Sequence, residues 1–215
     1  MDIQSKLTSF AMMGATWVMW LLIGLSVGGL AVALERALYF VRSRDNVRRL
    51  RADVLGFLRG GDLPAARERL ARSRSFEAQV AAAGLEDDNG SASAEERMSG
   101  AAQIAKLRME KRLAFLGTLG ANAPFLGLLG TVIGIIRAFH QLNESAGKVT
   151  AGLMSEVGEA LVATAIGILV ALPAITFFNF FQRLIKGRLG RADAFGKDVL
   201  AVLKSDRSDA IKRAA

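Results

Sequence analysis

Three long runs of this sequence are apolar and contain no charged side chain. Lys, Arg, Asp and Glu are all absent from Leu7 to Leu34, from Leu113 to Ile136 and from Ala160 to Gln182. Each run exceeds the roughly 20 residues that an α-helix needs to cross a bilayer. The pattern therefore predicts three membrane-spanning helices, over residues 10–40, 113–142 and 153–184.

Polar segments precede, separate and follow these spans. They are a short N-terminal segment at 1–9, an insert at 41–112, a loop at 143–152 and a tail at 185–215. In the tail, apolar residues recur at helical spacing and share one face; they are Ile185, Leu189, Ala192, Phe195, Val199 and Val202. We expect the tail to continue the third span and to pack on the long helix that rises from the cytoplasm into the second span. The alternative is a helix lying on the membrane surface.

The insert contains several helix signals. Apolar residues at helical spacing predict a helix from Val47 that ends at Gly60-Gly61. Asp62 has the character of an N-cap, with Pro64 in the first turn of a helix that is expected to reach Ala83. A capping-box pattern at 93–96 begins the next helix. No strong breaker follows before Pro124, so one helix over 94–142, roughly 73 Å long, is predicted.

Composition and charge agree with an all-α integral membrane protein with three spans and long cytoplasmic helical extensions. Of the 215 residues 52% are hydrophobic, and the formal net charge is +8. Arginines and lysines cluster after the first span, before the second and after the third. The positive-inside rule therefore predicts an outer N-terminus with 41–112 and 183–215 in the cytoplasm. Nucleic-acid binding is disfavoured because acids alternate with bases in the arginine-rich stretch and aromatic platforms are missing.

The sequence offers little enzymatic chemistry. It has no cysteine, and its single histidine, His140, cannot form a multi-histidine metal site alone. The segment from Gly127 to Thr131 lacks the lysine of a phosphate-binding loop. We therefore expect no enzyme activity, no cofactor and no metal.

Small residues line one face of the second span and one face of the third. Such faces let helix backbones approach closely in a membrane, so we expect tight packing within the chain and between copies. The candidate packing residues are Gly127, Gly130, Gly134, Gly167, Ala171 and Pro173.

A few polar residues interrupt or border the second and third spans. Thr131 and Thr164 lie in apolar surroundings, where a threonine commonly bonds back to the carbonyl four residues earlier. Glu159 adjoins the third charge-free run and Glu156 lies one turn further out, where an acid indicates either a pathway or the outer headgroup zone. We interpret Arg137, near the outer end of the second span, as an interface anchor.

Two segments together resemble a known family. Ala123-Pro-Phe-Leu-Gly-Leu-Leu-Gly-Thr-Val-Ile-Gly-Ile135, followed by Glu159-Ala-Leu-Val-Ala-Thr-Ala-Ile-Gly-Ile-Leu-Val-Ala-Leu-Pro173, is similar to the MotA/TolQ/ExbB proton-channel family. The three-span layout looks like ExbB and TolQ rather than the four-span MotA. By position in the motif, Thr131, Glu159 and Thr164 match the polar residues that line the family's pore.

This resemblance implies a motor subunit in the bacterial inner membrane. The expected assembly is a pentamer around a dimer of an ExbD/TolR-type protein, whose single span carries an Asp. Proton flow would then do work on a TonB-like, TolA-like or gliding-machinery partner. The alternative is a non-conducting scaffold. No acid lies in the middle of any span, so a proton-carrying carboxylate must come from another polypeptide.

Overall fold

The structure, a computed structural model, describes residues 14–86 and 91–214. Its helices, in chain order, are α1 (Thr16–Arg42), α2 (Val47–Arg59), α3 (Leu63–Ala71), α4 (Phe76–Gly84), α5 (Ser91–Glu110), α6 (Leu113–Glu144) and α7 (Ala151–Ala214). The described residues contain no strand, so this part of the chain is all-α. The predicted segment at 1–9 lies outside the described residues.

Three helices are long and apolar enough to cross a membrane. They begin at Thr16, Leu113 and Ala151, and their most apolar windows have mean hydropathies of 2.1, 1.8 and 2.4. Many large apolar side chains on these helices point outward, as expected for surfaces that face lipid or another subunit. The chain is therefore an all-α membrane protein with three candidate spans.

The chain divides into two compact units. The first, called the span unit, comprises residues up to Glu35 together with Arg112–Phe180. Its core joins α1, α6 and α7 through mostly small and branched side chains. The buried members are Ala15, Val18, Leu22, Leu119, Ala123, Ile133, Val170, Ala171 and Ala174.

The second unit, called the insert unit, comprises Arg36–Lys111 and the chain from Phe181 onward. Phe195 and Val199 of α7 are fully buried against apolar residues of α2, α3 and α4. Ala192 and Leu200 join Met98 of α5 in a neighbouring cluster. The apolar face of the tail is thus covered by protein, and the membrane-surface alternative is wrong for it.

The sequence placed the first helix boundaries of the insert correctly but missed a later one. Gly60 follows α2, and the Asp62 carboxylate accepts a hydrogen bond of 3.0 Å from the Ala65 amide at the start of α3. The predicted helix to Ala83 is wrong, because α3 ends at Ala71 and α4 begins at Phe76. Ser75 caps α4, because its hydroxyl accepts a hydrogen bond of 3.1 Å from the backbone amide of Ala78. This bond satisfies an N–H donor that would otherwise be unpaired.

The single helix predicted over 94–142 is also wrong. Helix α5 ends at Glu110, and Arg112 adopts a left-handed conformation with φ of 65° before α6 begins. In a continuous helix the amide of Arg112 would donate to the carbonyl of Arg108. Here the Arg36 guanidinium donates to that carbonyl over 3.2 Å, so a side chain replaces the lost backbone bond. Pro124, the expected breaker, lies inside α6.

Candidate ion pathway

Helices α6 and α7 meet backbone to backbone at two glycines. A Cβ added to Gly127 would lie 2.8 Å from the Ala163 carbonyl oxygen, and one added to Gly167 would lie 2.7 Å from the Ala123 carbonyl oxygen. Real Cβ atoms do not approach backbone oxygens so closely, so only glycine fits at these positions without movement. This contact brings the polar groups of the two spans together.

Two further glycines of α6 face alanines of α7. A Cβ on Gly130 would lie 2.6 Å from Cβ of Ala163, and one on Gly134 would lie 2.6 Å from Cβ of Ala160. Ala171, another candidate packing residue, is buried in the core of the span unit. Pro173 is exposed in the single chain and lines an apolar cavity of about 310 Å³ together with Ser26 and Gly29.

The hydroxyls of Thr131 and Thr164 are in direct contact between the two helices. The Thr164 hydroxyl lies 3.1 Å from the Gly127 carbonyl oxygen, and the Thr131 hydroxyl lies 3.1 Å from the Ala160 carbonyl oxygen. Thr131 is also 3.3 Å from the carbonyl of Gly127, four residues earlier in its own helix. Simple back-bonding within one helix therefore does not describe the pair. Each hydroxyl can donate its one proton across the interface and still accept a hydrogen bond.

Glu159 is joined to the first span. The hydroxyl of Thr16 donates a hydrogen bond of 2.6 Å to its carboxylate. This bond connects the first turn of α1 with α7 at a point between Glu156 and the threonine pair. Nothing in the sequence around Thr16 marked it as a functional position, because it lies within a charge-free run.

Glu156 has a charged partner on α6. Its carboxylate lies 2.9 Å from the guanidinium of Arg137, and the two side chains are 12% and 26% exposed. The Gln141 amide is 3.5 Å from the same carboxylate. Arg137 therefore has a partner within the protein, and its role as an interface anchor stays a prediction. The opposite charges of Arg137 and Glu156 at neighbouring span ends were the sequence signal that could have revealed this pair.

The arrangement of the described residues also bears on whether the chain could hold a metal. Among residues 14–86 and 91–214, no group of three or more His, Cys, Asp or Glu side chains converges as a metal site would require. The polar groups that converge between α6 and α7 are the two threonine hydroxyls, backbone carbonyls and the pair formed by Arg137 and Glu156.

Comparison with known proteins now identifies the family. The sequence model of the MotA/TolQ/ExbB proton channel family matches residues 71–193, which include both threonines, Glu159 and Glu156. This chain belongs to that family. The resemblance predicted from the two sequence segments is confirmed.

Individual relatives agree with the family assignment. The chain is 45% identical over 78 residues to an ExbB-like biopolymer transport protein of Helicobacter pylori, covering 36% of this chain and 52% of that protein. It is 41% identical over 98 residues to the biopolymer transport protein ExbB of Neisseria gonorrhoeae, and the match covers 46% of this chain and 44% of that protein. It is 38% identical over 94 residues to the biopolymer transport protein ExbB of Aquifex aeolicus, and the match covers 44% of this chain and 63% of that protein. The matched region thus spans about half the length of these relatives.

Proposed function

We propose that this chain is the channel-wall subunit of a proton-driven motor of the ExbB–ExbD or TolQ–TolR type in the bacterial inner membrane. The motor would couple the proton-motive force to work on a periplasmic or outer-membrane partner in transport, envelope maintenance or gliding. In this proposal the N-terminus is periplasmic, and residues 41–112 and 183–215 are cytoplasmic. Family membership supports the channel role.

The contact between Thr131 and Thr164 is the observation that carries the proposal. It forms a polar spot between α6 and α7 that contains no titratable group. A threonine hydroxyl orders water and accepts or donates hydrogen bonds, but it does not change charge near neutral pH. The chain therefore supplies a wall, and an Asp on the single span of an ExbD/TolR-type partner supplies the carrier.

Glu159 would gather protons at the outer entrance. Its carboxylate is half-buried and lies on α7 five residues before Thr164. The hydrogen bond from Thr16 holds this side chain against the first span. We assign Glu156 a different place, because Arg137 already compensates its charge.

The packing within the span unit bears on which surfaces could form the interface between copies in a ring. The small-residue faces of α6 and α7 are occupied within one chain. We infer that copies meet through surfaces that remain exposed, which carry large apolar side chains such as Phe125, Val132, Leu161 and Ile168. A closed ring hides such surfaces, and a pentamer is the number that the family resemblance implies.

Proton flux in liposomes tests the proposal against the scaffold alternative. We expect the purified protein alone to leak few protons and the complex with its single-span partner to conduct down a gradient. A partner whose membrane Asp is replaced by Asn is the matched control and should abolish flux. Robust flux through this chain alone would refute the division of roles, and no flux from the intact complex would favour the scaffold.

A further inference from the structure

The insert unit contains an arginine-rich pocket that the proton-channel proposal does not use. It has a volume of about 390 Å³ and is formed by the segment after α1 together with α7 and Glu77 of α4. Its charged lining consists of Arg44, Arg48, Arg188, Arg191, Asp45 and Glu77. Four arginines against two carboxylates leave a net charge of +2.

Both carboxylates of the pocket are already engaged. Glu77 is 2% exposed and lies 3.2 Å from the Arg191 guanidinium. Asp45 accepts hydrogen bonds from the Ser73 hydroxyl and from the backbone N–H of Asn46, and the Ser73 bond lowers the pKa of Asp45 below its ordinary value. Glu77 is therefore paired with Arg191, and Asp45 is held by Ser73 and Asn46 rather than by Arg44 or Arg48 among the described residues.

The base of the pocket is a buried guanidinium. Arg188 is 4% exposed and donates to the carbonyls of Phe40 and Ser43 and to the Ser43 hydroxyl at 2.7 to 3.1 Å. Burial lowers the pKa of Arg188 and Glu77 raises it, as expected for a cation held in a poorly solvated position. Its Nε–H has no acceptor among the described residues. Arg188 is thus a buried cation with three hydrogen bonds and one N–H donor that has no acceptor among the described residues.

The rim of the pocket carries the uncompensated charge. Arg44 and Arg48 are exposed, and no ion pair holds either side chain among the described residues. Arg44 is close enough for its charge to act on Arg188. Two exposed guanidinium groups that line the same pocket as a buried one suit an oxyanion such as a phosphate, which guanidinium groups bind through paired N–H donors.

The surroundings indicate that the phosphate belongs to a lipid. The charge-free run of α7 ends at Gln182, and Arg188 follows six residues later, about 9 Å along the helix. Headgroups occupy roughly this depth beyond the hydrocarbon core. Leu38 and Val41, within two turns of Arg44, are 58% and 56% exposed. They offer apolar surface for acyl chains, which a free phosphate ion would not use.

We propose that this pocket binds the phosphodiester headgroup of an anionic phospholipid, with Arg44 and Arg48 closing over the phosphate and Arg188 fixing the floor. The proposal depends on the membrane location of the chain and not on proton transport. A bound lipid would connect the segment after α1 to α7 within the insert unit.

Native mass spectrometry of the detergent-solubilised full-length complex tests this proposal. The probes are dioleoyl phosphatidylglycerol, dioleoyl phosphatidylcholine with the same acyl chains, and inorganic phosphate. We expect phosphatidylglycerol to be retained well above phosphatidylcholine. The Arg44→Gln, Arg48→Gln double variant should bind it about 25-fold more weakly, since a surface arginine contributes about fivefold to anionic-lipid binding. Restoring charge with Arg44→Lys, Arg48→Lys should recover most of the binding.

Arg183→Gln, Lys186→Gln is the matched control. It removes the same charge from exposed positions on α7 that do not line the pocket, and it should leave retention within about twofold of the wild type. An equal loss of lipid binding in this control would show that general attraction to surface charge, and not the pocket, retains the lipid. Equal retention of phosphatidylcholine would exclude recognition of an anionic headgroup. Displacement of the lipid by an equimolar amount of inorganic phosphate would identify a soluble anion instead.

Discussion

The Thr16 hydroxyl donates a 2.6 Å hydrogen bond to the carboxylate of Glu159. The bond crosses from α1 to α7 and reaches the one acid that adjoins the third charge-free run. This separation is within the usual range of an O–H···O hydrogen bond. Thr16 is therefore placed to hold the Glu159 side chain in a single orientation.

Thr16→Val should reduce partner-dependent proton flux in liposomes about twofold to tenfold, which corresponds to the net contribution of one hydrogen bond. Valine keeps the shape of threonine and removes the donor, so the Glu159 carboxylate loses its support on α1. Thr16→Ser restores the hydroxyl and should restore flux, and Glu159→Gln should reduce flux further while the ring still assembles. Normal flux in Thr16→Val would show that Glu159 works without this bond.

The threonine pair provides a sharper test of the channel wall. Thr131→Val, Thr164→Val should assemble a ring of normal size and lose most proton flux, because the polar spot between α6 and α7 disappears. The assembly cost should be small, since a hydrogen bond between membrane helices contributes about 0.6 kcal/mol. Size and flux are measured on the same preparation. Thr131→Ser, Thr164→Ser is the control, and full flux in the valine variant would reduce both residues to a packing role.

Glycines of α7 permit a matched comparison of packing. A Cβ on Gly167 would lie 2.7 Å from a carbonyl oxygen and 2.9 Å from the Gly127 Cα, whereas a Cβ on Gly158 meets nothing within 4 Å. Gly167→Ala should lower the melting temperature of the detergent-solubilised protein by several degrees, because the α6 and α7 backbones must separate. Gly158→Ala makes the same change in the same helix. It should be neutral or stabilising, since alanine favours a helix by about 1 kcal/mol over glycine. Equal melting temperatures would mean that the two helices separate without cost.

Much of this architecture was predictable because membranes impose strong patterns. Charge-free runs longer than 20 residues leave a helix as the natural structure, and small residues at helical spacing on both spans predicted their close contact. Local caps were equally clear at Asp62 and Gly60. These features depend on a few neighbouring residues or on a simple solvent rule.

The features that sequence reasoning missed depend on contacts between distant residues. The left-handed Arg112 has no glycine or proline beside it. The Arg108 carbonyl that the helix break leaves accepts a hydrogen bond from Arg36, which lies 72 positions earlier in the chain. The Thr16 hydrogen bond joins residues 143 positions apart. A periodic pattern carries no information on such pairings. The Ser75 cap was local and could have been recognised from Ser75 preceding Phe76 and Glu77.

The pair formed by Arg137 and Glu156 separates a structural acid from a pathway acid. The Arg137 guanidinium and the Glu156 carboxylate are 2.9 Å apart, and both side chains are largely buried. Removing one partner leaves the charge of the other uncompensated, which costs more stability than removing both. Glu156→Gln and Arg137→Gln should each destabilise the detergent-solubilised protein by about 1–2 kcal/mol, between the values for exposed and fully buried pairs. The double variant should be more stable than the sum of the two losses predicts. Its flux per assembled ring should be close to that of the wild type, because in our proposal protons pass Glu159 and not Glu156. If flux stays low in a stable double variant, Glu156 belongs to the proton pathway and the ion pair with Arg137 is only its resting state.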